Sequence, residues 1–229
     1  MKKKAVSRAH QSERIRQMVI AAMLSAIVAV LTFTPIGMIP LPPPLPNATT
    51  VHLPVLVAAL VEGPMVGLIV GAVFGICSFI HAWETGMVGL TLFFRNPVVS
   101  VLPRLIVPLA AFAVWMLWRK VIRQNAVTDK IGVALASVAG TVTNTCLCLG
   151  LIALIYGGDL TVMLNEMISA GSADAAYLDH AGQWLVAVVG LPNGIGESIV
   201  AAIIVPMIKT AVDAVIRRTP ARRKKGTAL

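Results

Sequence analysis

Polar side chains occur at helical spacing inside three long apolar stretches of the chain. One stretch carries Asn96, Ser100 and Arg104, a second carries Thr141, Asn144, Thr145 and Cys148, and a third carries Asn193 and Glu197. Residues four apart lie on one face of an α-helix, and polar groups in apolar surroundings are costly unless they face a cavity or a partner. The spacing therefore predicts that three helices direct polar side chains into one shared pocket.

Arg104 could bind the anionic group of a ligand, because a guanidinium pairs well with a carboxylate. Arg95 and Arg104 are the two basic residues that lie outside the three basic segments described below, so both are candidate partners for a ligand carboxylate. Glu197 and the asparagines would then supply hydrogen bonds. Another interpretation stays open, in which Arg104 and Glu197 form a buried ion pair that holds two helices together.

Three further candidate ligand contacts are Asn47, Thr50 and His52. They lie in the proline-dense segment IPLPPPLPNATTVHLPV, residues 39–55, which holds six of the fourteen prolines. Proline has no backbone N–H and loses little conformational freedom on ordering. Such a segment can therefore cover an apolar pocket as a lid with few unsatisfied donors. His52 is as compatible with a structural role as with a ligand contact.

The composition indicates an integral membrane protein. Of the 229 residues, 57% are hydrophobic and 13% are charged, and the mean hydropathy is +0.85, a balance that a soluble domain cannot keep off its surface. Apolar runs fall at residues 17–36, 51–61, 64–80, 97–118, 131–156 and 192–216. Several approach the ~20 residues with which a helix crosses ~30 Å of hydrocarbon. Because the runs are continuous and do not alternate, the predicted fold is an all-α membrane protein.

The basic residues predict the topology. Seventeen of the nineteen lie in residues 2–16, 119–130 and 209–225, and the positive-inside rule places these segments in the cytoplasm. Two cytoplasmic termini require an even number of crossings, so residues 51–80 must be divided, at Glu62-Gly63-Pro64, which gives six transmembrane helices. Residues 51–61 span only ~16 Å at ~1.5 Å per residue. The proline-dense segment must therefore complete that crossing.

The predicted organisation is a single six-helix membrane domain, residues 17–218, between a basic cytoplasmic N-terminus, 1–16, and a basic cytoplasmic tail, 219–229. The basic residues flank apolar runs and have no aromatic residues interleaved, which favours contact with membrane lipid over binding of nucleic acid. The cysteines form no C-x-x-C, so no metal site is predicted. Neither a G-x-x-x-x-G-K-[ST] loop nor a G-x-S-x-G or H-E-x-x-H motif occurs, so we expect neither an enzyme nor a bound cofactor.

Four segments follow one another in the order TPIGMIPLPPPLPNATTVHLPVLVAALVEGPMVGLIVGAVFG, FRNPVVSVLPRL, GTVTNTCLCLGLI and LPNGIGESIVAAIIVPMI. In this order they resemble the substrate-binding S component of energy-coupling factor (ECF) vitamin transporters, in the group that includes pantothenate and folate binders. The likeness extends over residues 17–210. The chain differs from the family pattern in its proline-rich loop and in a long outer segment, residues 159–183, that has no assigned role.

The resemblance implies a six-helix protein of the prokaryotic plasma membrane whose loop between helices 1 and 2, residues 37–52, closes over the vitamin. It implies that Ala22 and Ala26 dock on a transmembrane coupling subunit, to which a pair of ATPases binds. In this family the S component rotates in the membrane and carries the enclosed vitamin inward.

The expected function is therefore high-affinity vitamin binding for an ATP-driven importer. Pantothenate is the first candidate because Arg95 and Arg104 could receive its carboxylate, and folate satisfies the same reasoning. A neutral vitamin such as pyridoxine or hydroxymethylpyrimidine would require Arg104 to be paired with Glu197. A secondary transporter or channel that works without partners is the alternative from another class, and a membrane enzyme is a third.

Overall fold

The computed structural model describes residues 2–39, 48–84 and 89–218, with side chains for residues 11–37, 49–84 and 89–215. Its helices are α1 (Lys2–Phe33), α2 (Leu53–Glu62), α3 (Pro64–Glu84), α4 (Pro97–Val121), α5 (Ala126–Ser169), α6 (Ala181–Trp184) and α7 (Leu191–Arg218). Short 3₁₀ turns lie at Pro35–Gly37, Gly89–Arg95 and Ala175–Tyr177, and a π-helical turn, Leu185–Gly190, joins α6 to α7. Two strands of two residues each, β1 (Met38–Ile39) and β2 (Ala48–Thr49), pair antiparallel.

Five helical segments are long and apolar enough to cross a membrane: Gln11–Phe33, Pro64–Glu84, Pro97–Val121, Ala126–Ser169 and Ala181–Val215. A sixth apolar helix, α2, has only 10 residues. The predicted helical membrane fold is confirmed in this respect, with the two short strands as its non-helical addition. The number of crossings and the side on which each terminus lies stay predictions.

The predicted division at Glu62-Gly63-Pro64 is present. Helix α2 ends at Glu62 and α3 begins at Pro64. Gly63 between them has φ 102°, a backbone conformation that glycine adopts without the steric cost of a side chain. Proline is favoured at the first helical position, because the N–H that it lacks would have no partner there. Gly63 and Pro64 together therefore reverse the direction of the chain between α2 and α3.

Helix α2 runs through the centre of the bundle and is shorter than its neighbour α3. Every residue from Leu53 to Leu60 is buried. The two helices lie antiparallel, with Gly67 against Ala59 and Gly71 against Val55. At ~1.5 Å per residue, α2 is ~15 Å long and α3 is ~31 Å long. The C-terminal half of α3 therefore has no part of α2 beside it.

Helix α4 packs closely against α3 because α3 presents glycines to it. A Cβ placed on Gly67 would lie 2.8 Å from the Pro108 Cβ, and one on Gly75 would lie 2.8 Å from the Val101 Cα. Gly71 faces the backbone carbonyl of Arg104. Small residues of this kind let two membrane helices approach until their backbones touch, which fixes the height of Arg104 relative to α3.

The outer segment, residues 159–183, packs as a second apolar core beyond the bundle. Helix α5 bends at Tyr156, whose backbone is not helical (φ −122°, ψ 24°). Past the bend, Leu160 and Leu164 pack with Trp184 and with Phe93 of the turn before α4. The segment to which the sequence assigned no role therefore packs against the start of α4 and the turns that precede α4 and α7.

Candidate functional site

A cavity of about 450 Å³ lies next to the N-terminal end of α2, beside the C-terminal half of α3. It is lined by Thr32, Thr49, Val51, Phe74, Ser78, His81, Leu90, Thr91, Phe94, Arg104, Asn144, Thr145, Cys148, Leu149, Ile152, Val189, Asn193 and Glu197. Phe74, Ser78 and His81 come from the part of α3 that extends beyond α2. The cavity therefore exists because α2 begins only halfway along α3.

Arg104 is the cation of this cavity, and its guanidinium is held on several sides. Its Nη1 donates to the carbonyl oxygen of Val99 at 3.0 Å and lies 2.8 Å from the Cys148 Sγ. The rings of Phe74 and Phe94 have their centroids 5.2 and 4.9 Å from its Cζ, distances at which a cation is attracted to an aromatic face. The residue is only 6% exposed, so it presents a small part of a fixed cation to the cavity.

Glu197 holds the loop that precedes α2. Its Oε1 accepts hydrogen bonds from the backbone N–H of Thr49 at 2.7 Å and from the Thr49 hydroxyl at 3.2 Å. Thr49 belongs to β2, which pairs with β1 through Met38 and Ile39. The Thr50 N–H also donates to the Gly37 carbonyl at 2.9 Å. Both ends of the predicted lid are therefore tied together at the cavity, and one is tied to α7.

The two asparagines of the cavity come from α5 and α7. Asn144 is buried, and its Oδ1 is the acceptor for the Cys148 thiol at 3.8 Å. The Oδ1 of Asn193 is buried and has no hydrogen-bond partner in the described part of the chain. With Arg104 and Glu197, they are the four predicted contacts that line the cavity.

Five predicted contacts are engaged elsewhere. Thr50 bonds to Gly37 and closes the loop. Arg95 donates to the Ala82 carbonyl at 3.0 Å and lies over the Trp83 ring. Asn96 caps α4 through the Val98 N–H and donates to the Tyr156 hydroxyl at 3.1 Å. The Ser100 hydroxyl lies within hydrogen-bond distance of the carbonyl oxygens of Phe94 and Asn96. The fifth, His52, is described next, and Asn47 lies outside the described residues.

His52 is buried beneath the cavity, at the start of α2. Its Nε2 lies 3.1 Å from the Thr141 Oγ1. The Thr141 hydroxyl also bonds to the Ser137 carbonyl at 3.0 Å. The contact between His52 and Thr141 therefore joins the start of α2 to α5.

The cavity is also lined by polar residues that the spacing of polar side chains in the sequence did not predict. Thr32 of α1, Ser78 and His81 of α3, and Thr91 of the turn before α4 all line it. Thr32 and Ser78 are polar residues inside apolar runs, the same signal that identified Asn144. Thr91 lies in a 3₁₀ turn, where helical spacing gives no signal.

The buried ion pair that the sequence left open is not formed. Among the described residues, no carboxylate oxygen lies within 4.0 Å of the Arg104 guanidinium. Arg104 instead bonds within α4 and to α5, and Glu197 bonds to Thr49. Both groups nevertheless line the same cavity. The described residues contain no cluster of three or more His, Cys, Asp or Glu side chains that could hold a metal ion.

Comparison with known proteins gives a family for the whole bundle. Residues 16–209 match the model of the family described as ECF transporter, substrate-specific component. The chain is also similar to the pantothenic acid transporter PanT of Lactococcus lactis subsp. cremoris, with 27% identity over 167 residues, 66% of this chain and 79% of that protein. The family is one of transporter components. The resemblance drawn from the sequence motifs is thus confirmed, and this multi-pass membrane protein belongs to the family of substrate-specific components of ECF transporters.

Proposed function

We propose that this chain is the high-affinity vitamin-binding S component of an ATP-driven ECF importer, and that its substrate is a small water-soluble vitamin with a carboxylate. Pantothenate is the first candidate. The similarity to the pantothenic acid transporter PanT supports this choice. Folate is the second candidate.

The observation that carries the proposal is the position of Arg104. It lines the cavity, its guanidinium has no carboxylate within 4.0 Å among the described residues, and acceptors on α4 and α5 hold one of its nitrogens. A buried cation is costly unless it is paired. A carboxylate ligand would supply that pairing, whereas pyridoxine or hydroxymethylpyrimidine would leave Arg104 without an anion.

We propose that the chain crosses the prokaryotic plasma membrane six times, with both termini in the cytoplasm, and that residues 37–52 form the lid. Residues 17–218 would be the membrane domain, and 1–16 and 219–229 its basic cytoplasmic ends. The charge distribution supports this orientation. The short α2 supports a crossing that the loop completes, because β2 lies at the cavity wall and contacts α7.

The partners would be a transmembrane coupling subunit and its paired ATPases. Ala22 and Ala26 are exposed on α1, one turn apart, among exposed large apolar residues that include Met23 and Ile27. Small residues one turn apart let a second membrane helix approach closely. We therefore assign this face to the coupling subunit. Replacing both alanines with leucine should abolish co-purification with that subunit while vitamin binding to the isolated chain persists.

The test is equilibrium binding of pantothenate to the purified protein, with Arg104→Ala and Arg95→Ala as a matched pair. Both variants remove one arginine, but Arg95 lies outside the cavity. Loss of a hydrogen-bonded charge pair should weaken binding roughly 10- to 100-fold in Arg104→Ala and leave Arg95→Ala near wild type. Equal affinity of wild type and Arg104→Ala for an anionic vitamin would contradict the assignment.

The alternative of a transporter that needs no partner is tested in liposomes that contain this chain alone. We expect binding without accumulation of pantothenate. Uptake by the isolated chain, at a rate that follows its amount, would replace the proposed function with that of a secondary transporter.

A further inference from the structure

Helix α4 contains a proline immediately before the cavity arginine. Pro103 lies inside α4, between Pro97 and Val121. A proline has no backbone N–H, so it cannot make the helical hydrogen bond to the carbonyl four residues earlier. For Pro103 that carbonyl belongs to Val99. The sequence therefore leaves one acceptor in the buried helix without its usual donor, one turn from Arg104.

The Arg104 side chain takes this acceptor. Its Nη1 donates to the Val99 carbonyl at 3.0 Å, so the guanidinium folds back along α4 toward the cavity end of the helix. The same nitrogen lies 2.8 Å from the Cys148 Sγ on α5. Val99 itself is fully buried. The proline thus creates the anchor that a long, flexible side chain needs.

A fixed guanidinium binds an anion more tightly than a mobile one. An arginine that must be ordered on binding loses side-chain entropy at that moment, whereas a side chain already held in place does not. In this protein the Arg104 side chain is already ordered before a ligand binds, because the groups that hold it, the Val99 carbonyl and the Phe74 and Phe94 rings, belong to the protein.

We propose that Pro103 is a positioning residue for anion recognition: by freeing the Val99 carbonyl, it holds the Arg104 guanidinium in the orientation that receives the ligand's carboxylate. The inference rests on the proposed function, in which Arg104 pairs with that carboxylate. In Pro103→Ala, the new N–H at position 103 competes for the Val99 carbonyl. Helix α4 would gain a backbone hydrogen bond, and the Arg104 guanidinium would lose one of the two acceptors that hold its Nη1.

The experiment compares Pro103→Ala with Pro206→Ala, which removes a proline from inside α7. Two probes are used, pantothenate and its neutral alcohol analogue. We expect Pro103→Ala to bind pantothenate roughly 3- to 10-fold more weakly, to bind the neutral analogue as wild type does, and to unfold at the same or a higher temperature. Pro206→Ala should keep the wild-type preference for the anion. An unchanged preference in Pro103→Ala, or an equal loss for both probes, would overturn the inference.

A measurement without ligand separates this inference from the proposed function. In protein with isotope-labelled arginine, the Nη protons of Arg104 can be identified by their loss in Arg104→Lys. We expect them to exchange slowly with water in wild type and faster in Pro103→Ala. If wild type binds neither probe but shows this difference, the substrate assignment fails and the positioning role stands. If exchange is the same in both proteins, the positioning role fails.

Discussion

The backbone N–H of Thr49 donates to the Glu197 Oε1 at 2.7 Å, and the two residues are 148 positions apart in the chain. Glu197 also lines the cavity. One carboxylate thus contacts both the loop that precedes α2 and the space in which a ligand would lie. A ligand that changes the environment of this carboxylate must also change how firmly the loop is held.

Replacing Glu197 should release the loop. In Glu197→Ala the Thr49 N–H loses a charged acceptor, a bond that contributes about 1.5–3 kcal/mol. Hydrogen–deuterium exchange at the Thr49 amide in ligand-free protein should therefore accelerate roughly 10- to 100-fold. Glu197→Gln keeps an oxygen acceptor and should fall between the two. Asn193→Ala, one turn earlier on α7, is the control and should leave this amide as slow as in wild type.

The Cys148 thiol should matter to ligand binding as an acceptor for Arg104. Cys148→Ser offers a hydroxyl oxygen to the Nη1, whereas Cys148→Ala offers nothing. We expect Cys148→Ala to bind an anionic ligand several-fold more weakly, since one of two bonds to a charged nitrogen is lost, and Cys148→Ser to bind close to wild type. Titration calorimetry measures both. A serine variant as weak as the alanine variant would show that the size of the sulfur, and not its role as an acceptor, is what counts.

The contact between α3 and α4 should not tolerate a side chain at Gly75. A Cβ there would lie 2.8 Å from the Val101 Cα, so the two backbones must separate. Overpacking of this kind costs about 1–3 kcal/mol, and Gly75→Ala should melt several degrees below wild type. Gly158 is a helical glycine with nothing within 4 Å of its Cβ position. In Gly158→Ala the higher helix propensity of alanine should instead hold or raise the melting temperature.

The ion pair between Arg16 and Glu62 should stabilise the turn between α2 and α3. Their Nη2 and Oε2 are 2.7 Å apart, and the Glu62 side chain is only 1% exposed. Removing the arginine leaves the buried carboxylate without its charged partner, which costs about 1–3 kcal/mol because the Arg16 side chain is itself 39% exposed. We expect Arg16→Ala to be destabilised by this amount and the double variant with Glu62→Gln to recover much of the loss. Thermal unfolding in detergent measures both, and no recovery in the double variant would contradict the pairing.

The sequence predicted the membrane helices well because their signal is local. The apolar runs and Glu62-Gly63-Pro64 gave the break between α2 and α3, where only two residues decide the geometry. The kink at Tyr156 also has a local signal, because Gly157 and Gly158 follow it directly and glycines are common at helix kinks. The contacts of Tyr156 with Phe93 and Asn96 come from elsewhere in the chain, and no local pattern contains them.

The candidate site was predicted in part for the same reason. Helical spacing placed Asn96 and Ser100 on one face with Arg104, but it could not distinguish a side chain that reaches the cavity from one that bonds to its own helix. Asn96 caps α4 and Ser100 donates to the Asn96 carbonyl, as short polar side chains often do near helix ends. Arg104 is long enough to leave the backbone, and it lines the cavity.

Because α2 begins only halfway along α3, the size of the cavity depends on the residue at which this inner helix starts. Starting α2 a turn later would deepen the chamber by about 5.4 Å without moving any outer helix against the lipid. Starting it a turn earlier would fill the chamber from below. Substitutions at a few positions around His52 would therefore change the size of ligand that the cavity holds. The lipid-facing surface of the bundle, to which a coupling subunit would bind, would stay the same.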